Sequence, residues 1–148
     1  VLGGNLPRRE LRTALTDSTL EALLPPADVE QQRQAVRDGH CGLLPEPRVP
    51  GMARVQIARD QALAQTAAAA RRPGQVVLLV AGAAHVKRSR GVPVHLPSDL
   101  PRKVVIAHAG SAEKAIKNEA DWLQQTPELP PDDACAPLRQ RWPAPPAR

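Results

Sequence analysis

Along the first 70 positions apolar residues recur at helical spacing, whereas two later runs are apolar without alternation. Pro7 suits the first turn of a helix that turns Leu11, Leu15 and Ala14 inward. Ser18 and Glu21 have capping-box spacing ahead of Leu23 and Leu24, which predicts a second short helix stopped by Pro25 and Pro26. Asp28 and Gln31 repeat that signal. Val29 and Val36 then share a helical face that carries His40 into the turn at 39–42. The clearest helix is expected over 51–72, rich in Ala, Gln and Arg, with Met52, Val55, Arg59 and Leu63 as its stripe. Pro73 and Gly74 end it.

The run QVVLLVA at 75–81 has strand length and glycine-bearing flanks. A run that does not alternate reads as a strand buried on both faces, as in a parallel sheet. A second such run, VVIA at 104–107, follows a loop and a short helix near 94–102. Val1 and Leu2, ahead of Gly3 and Gly4, read as the end of a further strand. Strands alternating with helices predict an α/β fold. The expected architecture is a mostly parallel sheet flanked by helices, in a partial domain that lacks its N-terminal strands. Positions 1–123 form the body, and 124–148 an irregular Pro-rich tail dominated by Pro, Asp, Ala and Arg.

Composition refines this picture. The chain has 148 residues, enough for one core, and its hydrophobic fraction of 42% comes mostly from Ala, Leu and Val, with no Phe or Tyr. With Trp122 and Trp142 as its only large aromatic rings, both near the end, burial must come from many small contacts. The net charge of +5 is scattered among acidic residues, and no aromatic platform for base stacking exists in the body of the chain, so a nucleic-acid partner is disfavoured. No stretch approaches the roughly 20 apolar residues of a membrane span. Val1 reads as a cut point, so membrane association would run through a missing N-terminal anchor.

The candidate chemistry lies just past the first apolar run, where ligands bind in open α/β sheets. Gly82 allows close backbone approach, and His85 can present a nitrogen to a metal or haem iron. Lys87, Arg88 and Arg90 can meet carboxylates. A solvated basic loop is the simpler reading of the same residues. His40 and Cys41 are a second candidate, although adjacent side chains rarely point at one target. Cys41 and Cys135 lack zinc-motif spacing; they could form one disulfide in an oxidising compartment or stay apart. Gln56 and Asp60 lie one turn apart and by themselves read as an ordinary solvated helix face. His95 and His108 read as structural.

Several motifs occur in a telling order: GNLPR at 4–8, HCGLLPE at 40–46, Met52 with QIARD at 56–60, VLLVAGAAHV at 77–86 and RGVP at 90–93. Together they resemble the ChaN-like haem-binding uptake proteins of the TIKI/TraB superfamily, in the later part of their domain. Asp121 with Trp122, and DAC at 133–135, resemble the family's C-terminal end. The resemblance implies a non-enzymatic haem or iron carrier with haem as cofactor and partner. It further implies cofactor contacts from His85, Arg88, Arg90, His40 and Asn5, with His85 and His40 as the metal-side imidazoles if a metal ion is bound. It places the parent protein in the periplasm or anchored to the outer membrane as a lipoprotein, with a homodimer as a possible assembly. Family haem ligation involves tyrosine assisted by histidine; this chain has no Tyr, so phenolate ligation is excluded. The alternative is a metal-dependent, peptidase-like hydrolase of the same superfamily, since GAAH at 82–85 is similar to its Gly–x–x–His pattern. A partial sheet with an unpaired edge predicts marginal stability.

Overall fold

The computed structural model describes residues 1–111, 114–128, 130 and 132–141, with the backbone alone at 114 and 115. The end of the predicted tail, 142–148 with Trp142, lies outside the described residues. Among the described residues six α-helices and two strands follow in the order α1 (Leu11–Thr16), α2 (Pro26–Gly39), α3 (Val49–Ala69), α4 (Val92–His95), β1 (Val105–Ala109), α5 (Lys114–Lys117), β2 (Trp122–Thr126) and α6 (Ala136–Arg141). Short 3-10 turns occupy Arg8–Glu10, Ser18–Leu23 and Glu46–Arg48. The fold is mixed α/β, as the sequence pattern predicts.

The helical starts follow local chemistry. The second short helix is a 3-10 turn whose cap is Asp17: its carboxylate accepts from the Thr19 backbone N–H and hydroxyl. Helix α2 starts at Pro26, two residues ahead of the Asp28 signal, because proline needs no N–H partner in a first turn. It ends in a left-handed turn at Cys41 and Gly42, where φ is 58° and 67°.

Helix α3 is the centre of the molecule and packs against α1, α2, α4 and the 18–23 turn. Its buried positions run Val49, Ala53, Ile57, Asp60 and Ala64, with Val55 and Ala58 alongside. The buried stripe is therefore rotated from the expected one: Val55 is buried, while Met52, Arg59 and Leu63 are half-buried. One apolar cluster joins Val36 of α2 to Val49 and Ala53, and a larger one gathers Ala14, Leu20, Leu24, Val29, Val55 and Ile57. Small side chains let these elements approach closely. A Cβ on Gly51 would sit 3.1 Å from the Leu15 carbonyl oxygen, at the crossing of α1 and α3.

Among the described residues the sheet has two strands, paired in parallel with Val105 opposite Trp122 and Ala109 opposite Thr126. The run at 104–107 is thus a strand, but 75–81 is not a buried one. It forms no regular element and no sheet pairing, and Val76, Leu78 and Val80 stand open to solvent while Val77 and Leu79 are more covered. An apolar run is buried on both faces only when neighbouring strands flank it, and none does here among the described residues. Strand β2 crosses position 124, so the region read as tail contributes the second strand.

Candidate functional site

The segment 82–92 folds on its own backbone. The His85 N–H donates to the Gly82 carbonyl (2.9 Å), Gly91 N–H to Lys87 (2.8 Å), and Val92 N–H to His85 (2.7 Å). Gly91 is required by this closure. A Cβ there would lie 2.3 Å from the His85 carbonyl oxygen and 2.8 Å from that of Lys87, closer than any side chain can approach.

The loop presents the His85 ring to α3, where its Nδ1 meets the Asp60 Oδ1 at 2.6 Å. Asp60 is 1% exposed, whereas the His85 side chain keeps 25% of its surface open. A carboxylate accepting at Nδ1 holds the proton there and leaves the lone pair on Nε2, the arrangement found behind metal-ligating imidazoles. Burial raises the Asp60 carboxyl above its usual range, an effect opposed by the His85 hydrogen bond and by the nearby Arg59 guanidinium. Asp60 was read as solvated from its sequence context. Its position between Ile57 and Ala64 on the buried stripe of α3 is the signal that could have found it: an acid on an apolar face needs a partner.

The cations beside His85 divide. Arg90 is buried, its Nη1 donating to Gln31 Oε1 at 2.6 Å and lying 3.9 Å from Glu119 Oε1. Its fork is engaged inside the chain, bracing the loop to α2, and Glu119 is the carboxylate it meets. Glu119 also accepts from the Ser89 backbone and hydroxyl, which hold its carboxyl below the usual range against the cost of burial. Arg88 is half-exposed and pairs with Asp121 at 2.7 Å. Asp121 in turn accepts from the Val104 N–H and from Lys103, and these donors, the Val104 N–H foremost, pull its pKa to about 2.

The other expected site residues sit in turns. The His40 Nδ1 lies 2.7 Å from the Val36 carbonyl, as part of the cap that ends α2. Asn5 is exposed and its side chain accepts from the Leu6 N–H. Cys41 is bonded to Cys135, which ties the segment ahead of α6 to the end of α2. His95 is half-buried with no partner for Nε2 among the described residues, and burial lowers its pKa, disfavouring the charged ring. Among the described residues no group of three or more His, Cys, Asp or Glu side chains could hold a metal ion. No helix among them is long and apolar enough to cross a membrane.

Fold and site together define a small mixed α/β unit with a carboxylate-backed imidazole between its central helix and a basic loop. Residues 1–96 match the family described as haem-binding uptake, Tiki superfamily, ChaN, and the chain belongs to that family. The match covers Asp60, His85, Arg88 and Arg90, whereas β1 and β2 lie beyond it. No curated protein and no solved structure matches the chain.

Proposed function

We propose that this chain is part of a non-enzymatic haem carrier acting in haem or iron uptake, with His85 as its iron-side residue. The family points to haem, and the observation that carries the residue assignment is the Asp60–His85 hydrogen bond, which leaves Nε2 as the free nitrogen. An imidazole with its second nitrogen tied to a carboxylate fits the donor chemistry of an axial iron ligand. Bound haem would supply the iron centre and two anionic propionates. The chain would hold the imidazole in place and offer Arg88 to a carboxylate. An oxidising compartment such as the periplasm suits the Cys41–Cys135 disulfide. With the full chain, a haemin titration should give a saturable Soret shift that weakens at least about tenfold in His85→Ala, the scale of losing a supported ligand. Equal spectra and affinity for both proteins would remove His85 from the role.

A further inference from the structure

A second feature is a cavity of about 90 Å³ lined by Arg88, Pro93, Arg102, Val104 and Asp121. Two guanidinium groups face this space, and one carboxylate partly neutralises them. Arg102 is fixed by its own loop: Nη1 donates to the carbonyls of Pro97 and Leu100, both at 3.2 Å. Among the described residues its Nε and Nη2 groups have no protein partner. Asp121 is shared by two cations, Arg88 and Lys103, and by the Val104 N–H, while Arg102 lines the same cavity without an acid of its own. The excess positive charge and the unused N–H groups suit one more acidic group.

We propose that Arg88 and Arg102 together form a seat for a ligand carboxylate, bridging the two guanidiniums where Asp121 already satisfies one side of Arg88. Charge-assisted bonds to a planar fork are among the strong polar contacts available at a surface, and the cavity between the two guanidiniums has room for an acidic group. Arg102 thereby takes the place that sequence spacing gave to Arg90. The seat stands on its own geometry. Only its use by a porphyrin propionate rests on the haem reading above.

Sodium propionate is the probe, titrated into the full chain while the Arg side-chain and Val104 backbone signals are followed by NMR. Saturable shifts are expected at Arg88, Arg102 and Val104, with affinity falling about tenfold in Arg102→Gln, as expected on losing a charged bond. Arg102→Lys, which keeps the charge but loses the fork, should fall between. Shifts that rise linearly without saturating, or that persist unchanged in Arg102→Gln, would overturn the seat. Displacement of propionate by haemin but not by its dimethyl ester assigns the carboxylate to the porphyrin; no displacement assigns the seat to a free small carboxylate.

Discussion

Asp60 and His85 are 25 residues apart in the chain and 2.6 Å apart in the fold, the acid on the central helix and the imidazole on the loop beyond the exposed run. Each solves a problem the other creates. The acid is buried on the apolar stripe of α3 and needs a donor; the ring sits on a loop and needs an anchor. The helix, and no strand, therefore positions the candidate ligand.

That dependence predicts the outcome of a double-mutant cycle. His85→Ala strands a buried carboxyl and should cost about 1–3 kcal/mol in urea denaturation. In Asp60→Leu/His85→Ala much of that loss should return, because removing both partners leaves no orphaned group. Additive losses across the cycle would show that the two residues act separately.

Gly91→Ala should be among the most damaging single changes in the loop. Its Cβ would overlap the His85 carbonyl oxygen, a backbone atom that cannot swing aside. The cost expected is more than about 2 kcal/mol, in the range of severe overpacking, read as a drop in thermal midpoint. The same substitution should weaken haemin binding, since the loop that carries His85 must open. A midpoint equal to that of the parent chain would contradict the closeness of the 85–91 backbone.

Acid sensitivity should be traceable to Asp121. Its folded pKa is about 2 against an ordinary value of 3.8, because the Val104 N–H, Arg88 and Lys103 favour the charged form. A depressed acid contributes stability above the unfolded value and loses it as the carboxylate protonates. Stability should thus fall between roughly pH 4 and pH 2, and Asp121→Asn should lower stability at neutral pH while flattening that slope. Denaturation midpoints measured across this window test both parts.

The disulfide and the open run make separable predictions. Reduction, or Cys41→Ser, frees the α6 segment and should cost about 2–4 kcal/mol, the usual effect of opening a long loop. Leu78 is 84% exposed in an unpaired apolar run, a pattern that invites edge-to-edge association. Leu78→Lys should therefore reduce self-association in light scattering while shifting stability by no more than about 0.5 kcal/mol. A large loss of stability would mean that this side chain packs against something after all.

Much of the helical layer was readable directly. Val29 and Val36 share a face because 3.6-residue periodicity fixes which side chains align, and proline and glycine mark the ends of α2, whereas α3 stops at Ala69, ahead of Pro73 and Gly74. The run at 104–107 also announced a strand. The run at 75–81 was misjudged because apolarity states what a segment would bury, not whether neighbours exist to bury it. The partner of β1 came from Trp122–Thr126, which straddles the boundary drawn at 124 between body and tail.

Residue type and short spacing were enough for the helical layer, the family motifs and the prominence of His85. Packing brought the rest: Asp60 holds that ring, Arg90 is engaged inside while Arg102 keeps unused N–H groups, and Cys41 reaches Cys135. Each of these is a meeting of residues from distant parts of the chain. Side-chain partnership is set by how helices pack and loops close, and no local pattern encodes that distance.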